Sequence, residues 1–187
     1  MLRVLIGHVG AAFAARRRWP AAPLGWLLCA SFAPDVWRIA LADSGYRWWP
    51  SNTYSHALPW SGIIALVVGS MAWPVLRDGR AALVIAGLSA SHVALDMISG
   101  WKPLWVGGPV GLDLYHVEQA EFALEGILAW AGWRLLRPTT VPGWVARRRM
   151  LVFLLAVQAV YSWTAYRSRP AATRCWTYPF APCWRRL

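Results

Sequence analysis

Apolar residues fill this chain in long blocks rather than in the alternation of a half-buried strand or the single stripe of a soluble helix. The blocks cover residues 2–15, 23–42, 56–76, 80–98, 116–136 and 150–166. They are apolar on all sides and most approach the roughly 20 residues a helix needs to cross a bilayer. Their punctuation fits helix ends. Arg16, Arg17, Arg18 and Pro20 close the first block, Arg77, Asp78, Gly79 and Arg80 divide the third from the fourth, and Pro138, Pro142 and Gly143 follow the fifth. The pattern predicts an all-α, polytopic membrane helical bundle of about six (five to six) transmembrane helices. It forms a single domain over 1–166 and leaves a basic tail rich in Trp, Pro and Cys over 167–187. The first block has a rival reading as a cleaved signal peptide ending at Ala12-Phe13-Ala14. A positive n-region is nearly absent, however, with Arg3 alone, and three arginines follow where translocation would begin, which suits a membrane anchor better.

Composition supports a bilayer as the solvent. The 187 residues are 58% hydrophobic and only 14% charged, with 15 Trp, whereas a soluble domain carries about 25% charged residues. A net charge of +11 raises the prospect of a nucleic-acid partner. The 19 Lys and Arg nevertheless fall between the apolar blocks, where anionic lipid headgroups and the positive-inside rule place them, so no nucleic acid is expected. One set of alternate loops holds Arg16–Arg18, Arg77, Arg80, Arg134, Arg137 and Arg147–Arg149, and the opposite set only Arg3, Arg38, Arg47 and Lys102. This asymmetry puts the first set in the cytoplasm and both termini outside. The arginines of the tail break the rule unless the sixth block fails to span. Trp48, Trp49, Trp101 and Trp105 lie in the outer loops, as an interfacial belt would. Of the three cysteines, Cys29 lies in an apolar block and only Cys175 and Cys183 are placed to pair; two free thiols serve as well.

The informative residues are those that contradict their surroundings. His8, Asp35, His56, His92, Asp96, Glu118, Glu121 and Glu125 all lie within or at the ends of apolar blocks, although the chain has only eight acidic residues and four histidines. An ionisable group at membrane depth costs several kcal/mol unless paired, hydrated or coordinated, so each is a functional-site candidate. Ser91-His92-Val93-Ala94-Leu95-Asp96 sets an imidazole and a carboxylate one helical turn apart on one face. That arrangement suits two metal ligands, and equally a local His–Asp hydrogen bond. Asp35 follows Pro34, whose kink either aims the carboxylate inward or leaves it paired with Arg38. His56 reads as a ligand or an interfacial histidine. His8, with Gly7 and Gly10 beside it, reads as a ligand or a core histidine where two helices approach closely. Glu118 and Glu121 fit a polar stripe; Glu125, deepest of the three, is the better ligand. With both termini outside, His8, Asp35, His56, His92, Asp96 and Glu125 fall in the outer halves of their helices.

Gly7-His8-Val9-Gly10, Ala33-Pro34-Asp35, Tyr54-Ser55-His56-Ala57-Leu58 and Ser91-His92-Val93-Ala94-Leu95-Asp96 resemble, in order, the motifs of a family of bacterial membrane-bound proteins classed as metal-dependent hydrolases. The likeness covers residues 5–137. Val110-Gly111-Leu112-Asp113-Leu114-Tyr115 looks like that family's Gly-Leu-Gly-Leu-Trp segment, with Asp113 and Tyr115 departing from it and Glu125 at the position of its following glutamate. The resemblance implies a helical protein of the bacterial inner membrane with His8, Asp35, His56, His92, Asp96 and Glu125 near a metal. The order His, Asp, His, HxxxD is also similar to soluble helical zinc phospholipases C and related nucleases. Where those carry a further HxxxE, this chain has His116 followed by Ala120.

Nitrogen and oxygen ligands without cysteine suit one or two divalent ions, with zinc first and Mn or Fe behind. The expectation is a hydrolase whose site opens to the outer leaflet, acting on a lipid or lipid-linked ester or phosphoester. Glu125 would serve as ligand or general base and Lys102 as a phosphate contact. The rivals are an ion, proton or small-solute transporter using intramembrane His and Asp, and a membrane assembly protein with a structural metal.

Overall fold

A computed structural model describes residues 6–45, 53–100, 102–103, 109–112, 114, 118–136 and 144–167. Six helices form there: α1 (Ile6–Arg18), α2 (Leu24–Asp43), α3 (Leu58–Leu76), α4 (Gly79–Ser99), α5 (Glu118–Leu135) and α6 (Trp144–Arg167). A two-residue antiparallel ladder, β1 (Lys102–Pro103) with β2 (Pro109–Val110), follows α4. Trp48, Trp49, Trp101, Trp105 and the tail with Cys175 and Cys183 lie outside the described residues.

Three of these helices, α2, α3 and α4, are long and apolar enough to cross a membrane, at 20, 19 and 21 residues. The expected count of about six spans is therefore met only in part. α1 covers 13 positions starting at the first described residue. α5 carries Glu118, Glu121, Glu125 and Arg134.

The helix boundaries differ from the apolar blocks where local chemistry outweighs hydropathy. α1 continues through Arg16, Arg17 and Arg18 instead of ending before them, because arginine is a good helix former and cations favour a helix C-terminus. The Arg16 guanidinium then donates to the carbonyls of Pro20 and Ala22. The third block splits: residues 53–56 form one helical turn, Ala57 is extended, and α3 starts at Leu58 with Pro59 in its first turn. His56 consequently ends a separate turn rather than opening the long helix. Between α3 and α4, Arg77 takes a left-handed conformation (φ 53°) and Asp78 caps α4, accepting from the amides of Arg80 at 2.9 Å and Ala81 at 3.2 Å. This two-residue connection folds α3 against α4 as a helical hairpin.

α2 lies on α4, and α1 lies between α2 and α5, with α6 outside α5. Small residues make these approaches possible. Ala12, Ala22, Ala30, Ala72, Ala81 and Ala82 are all buried in one cluster, as expected where helices pack in lipid without a hydrophobic drive between them. At the α1–α5 crossing a Cβ on Gly10 would run into the Leu128 carbonyl, and one on Gly132 into the Gly10 backbone. The bundle is inverted relative to a soluble protein. Ile63, Leu66, Met71 and Trp73 of α3, Leu83 of α4 and Phe153 of α6 are exposed, while His8, Asp35, Arg38, His56, His92, Asp96 and Glu125 are buried.

Candidate metal centre

The buried polar groups come from the start of α1, the C-terminal half of α2, the turn before α3 and the C-terminal half of α4. These four segments meet at one end of the bundle. His92 and Asp96 sit one turn apart on α4, and their Nε2 and Oδ2 are 3.5 Å apart. His56 Nε2 is 3.2 Å from Asp96 Oδ2, 3.3 Å from His92 Nε2 and 3.6 Å from Asp35 Oδ1. Asp35 Oδ2 lies 3.9 Å from His92 Nε2. His8 Nε2 reaches the other oxygen of Asp96, Oδ1, at 3.1 Å, and its ring stacks on that of His92 with centroids 4.0 Å apart. Two overlapping sets, His8–His92–Asp96 and Asp35–His56–His92, each converge closely enough to hold an ion.

The partners outside the cluster fix which nitrogens face inward. His92 Nδ1 donates to the Ser31 carbonyl at 2.7 Å; a carbonyl only accepts, so the neutral ring presents its lone pair at Nε2. His56 Nδ1 lies 2.6 Å from Ser55 Oγ, the same arrangement with a hydroxyl as the outer partner. Around His56 Nε2 stand the His92 Nε2 and one oxygen each of Asp96 and Asp35. These atoms are of the kinds that ligate a divalent ion.

The spacing fits as well. Two ligands about 2.0–2.2 Å from a tetrahedral zinc are about 3.3–3.6 Å apart, and the contacts of His56 and His92 with each other and with Asp35 and Asp96 run from 3.2 to 3.9 Å. His8 Nε2 faces Asp96 Oδ1, and among the described residues its buried Nδ1 has no hydrogen-bond partner.

Two cations flank the cluster. Lys102 Nζ is 2.5 Å from Asp96 Oδ2, with the two side chains 11% and 3% exposed. Arg38 Nε is 3.4 Å from Asp35 Oδ1, so α2, with Pro34 inside it, provides both the inward carboxylate and its arginine partner. Lys102 is positioned by β1, which is fastened to α4: the Leu112 amide donates to the Met97 carbonyl at 2.9 Å, and Gly111 (φ 149°) sits where a Cβ would strike the Gly100 carbonyl.

Of the residues singled out in the sequence, His8, Asp35, His56, His92 and Asp96 come together with Lys102 beside them. Glu125 is buried next to them on α5, its Oε2 accepting from the Gly7 amide at 2.6 Å, outside both converging sets. Glu121 is buried on the same helix, and the Glu118 side chain and His116 lie outside the described residues. Sequence reasoning missed Ser31, whose contribution is a backbone carbonyl without a side-chain signature. It also left Ser55 without a role, although its place directly before His56 was a usable signal. No protein-family model, no curated protein and no solved structure matches the chain.

Proposed function

We propose that this protein is a membrane-embedded, metal-dependent hydrolase acting on a lipid or lipid-linked ester or phosphoester, with zinc as the metal. The observation that carries this reading is the meeting of two imidazole Nε2 atoms and two carboxylates from three helical segments, with His56 and His92 each within 3.9 Å of both aspartates. The motif resemblance to membrane-bound metal-dependent hydrolases adds to it. His56, His92, Asp35 and Asp96 would hold the ion, with His8 orienting Asp96 or joining as a further ligand. Zinc bound there supplies Lewis acidity toward an ester or phosphoryl oxygen and acidifies water.

The chain's own groups do the rest. The Ser31 carbonyl and Ser55 hydroxyl hold the two imidazoles in register, Glu125 serves as the general base, and Lys102 receives negative charge on the substrate. In this reading α1, α5 and α6 complete a bundle of about six membrane helices in the bacterial inner membrane. The site, at the bundle end holding the α1 N-terminus, opens to the outer leaflet, where a lipid headgroup arrives.

Metal analysis of the purified protein together with lipid phosphoester turnover tests the proposal. Stoichiometric zinc, lost in His92→Ala along with zinc-dependent hydrolysis, is the expected result. Protein that neither carries nor takes up a divalent metal overturns it. Ion flux in vesicles without hydrolysis would instead assign transport, and a His92→Ala effect confined to protein accumulation would assign a structural metal.

A further inference from the structure

The opposite end of the bundle, where α1 and α3 finish and α2 and α4 begin, is built of a different chemistry. Arg16, Arg17 and Arg18 close α1, Arg77 follows α3 and Arg80 lies in the first turn of α4. Ala22 of the α1–α2 connection is buried in one cluster with Ala72 of α3 and Ala81 of α4, so the two connections pack together and gather these arginines. Arg17, Arg18, Arg77 and Arg80 are exposed. The sequence supplies almost no counter-charge: residues 1–34, 44–77, 79–95 and 126–187 contain no acidic residue. Asp78 is the one carboxylate at this end among the described residues, and its Oδ1 accepts from the Arg80 and Ala81 amides.

The kind of cation is informative too. Lys102 is the chain's only lysine, so every cation here is an arginine. Lysine satisfies an interfacial charge bias equally well; the planar guanidinium differs in meeting a phosphate through two parallel N–H···O bonds. The groups are braced as well. Arg16 donates to the carbonyls of Pro20 and Ala22, Arg77 Nε donates to the Pro74 carbonyl at 3.1 Å, and Arg18 lies over the Trp19 ring, 5.5 Å from its centroid.

Two features identify the partner as a lipid. The α3–α4 connection has only two residues between helices long and apolar enough to span, too short to carry Arg77 and Arg80 away from a membrane surface. Trp19 and Trp73, the latter one turn before Arg77, are exposed beside them, as indoles are at headgroup depth. From Pro74, whose carbonyl holds Arg77, an open apolar groove runs along α3 past Met71 and Leu66 to Ile63. A cationic head and an apolar furrow thus lie end to end.

We infer that this end of the bundle holds an anionic phospholipid, its phosphodiester taken by the guanidinium groups of Arg17, Arg18, Arg77 and Arg80 and an acyl chain lying in the α3 groove. The site is separate from the metal centre and does not depend on it. Full-length protein in neutral detergent, titrated with short-chain phosphatidylglycerol or with phosphatidylcholine of the same chain length and followed by native mass spectrometry, tests it. Phosphatidylglycerol should bind about ten-fold or more tightly. Replacing Arg17, Arg18, Arg77 and Arg80 together by Gln should erase that preference. Replacing the same four by Lys keeps the net charge yet should weaken phosphatidylglycerol binding several-fold, because an ammonium cannot fork to a phosphate. The Lys variant decides the question even where the Gln variant does not fold. Wild-type protein without a preference for phosphatidylglycerol overturns the inference. A Lys variant that binds as wild type does overturns it in favour of diffuse surface charge, and glycerol phosphate competing as well as the phospholipid overturns it in favour of a soluble anion.

Discussion

Exchanging Asp96 for asparagine removes one negative charge from the middle of the cluster while keeping the size of the side chain. Its two oxygens meet His8 on one side and His56, His92 and Lys102 on the other. At 2.5 Å and an effective dielectric of about 20, the Asp96–Lys102 attraction is about 6–7 kcal/mol before desolvation is subtracted. Breaking a buried pair by removing one partner costs about 3–5 kcal/mol, since the other charge is left without compensation. Asp96→Asn should therefore lower stability by that amount, read by detergent-denaturant titration followed by circular dichroism. The double variant Asp96→Asn, Lys102→Gln removes the stranded ammonium as well and should regain most of the loss. Zinc content separates the two roles of Asp96: the single and double variants should both be metal-deficient, because restoring charge balance does not restore a ligand. A double variant that recovers zinc, or a single variant that keeps it, would make Asp96 an ion-pair partner and refute the reasoning.

Ser55→Ala deletes the outer partner of His56 and should weaken zinc binding by about 10- to 100-fold, measured by competition with a chelating dye. Gly132→Val places a branched side chain on the Gly10 backbone and should cost about 1–3 kcal/mol or abolish folding; Gly62→Ala, with no atom within 4 Å of the new methyl, should be neutral or gain up to about 1 kcal/mol in the same titration. Cys29 is exposed on the apolar helix α2, so in a Cys175→Ser, Cys183→Ser background it should resist a charged maleimide in liposomes and react in denaturant, whereas rapid labelling in liposomes would place that face in water. Chelation should strip zinc with little change in the helical circular dichroism signal, and unfolding on chelation would contradict the pairing of Asp35 with Arg38 and of Asp96 with Lys102 as sufficient for the bundle.

Much of the fold is legible because the bilayer requirement writes itself into the chain as uninterrupted apolar blocks, and each block corresponds to one helix. The ends are less legible. Three arginines look like a stop, yet they extend α1, since their charge suits a helix C-terminus. Pro59 looks like part of a continuous block, yet it starts α3 afresh and leaves His56 on its own turn. Hydropathy also does not distinguish a helix that spans from one that packs beside spanning helices, so six blocks become three helices that meet the length and composition of a span.

The cluster is legible for the opposite reason: an ionisable residue in an apolar block is rare enough to stand out. The alternatives weighed for each residue turn out not to exclude one another. Asp35 contacts both Arg38 and His56, and His92 is one turn from Asp96 yet also faces His56 from another segment. What no local pattern conveys is the placement of Lys102, which depends on a two-residue ladder being tied to the end of α4.

That ladder bears on how the site can exist before it is loaded. Two buried aspartates brought together without counter-charge would repel each other and resist leaving water, and the bundle would form only around its metal, as zinc-dependent small domains do. Arg38 and Lys102 remove that requirement by giving each aspartate a cation within 3.4 Å and 2.5 Å. The Ser31 carbonyl meanwhile holds the His92 lone pair toward the centre whether or not an ion is there. Arg38 and Lys102 are thus the groups through which the bundle accommodates two buried carboxylates side by side.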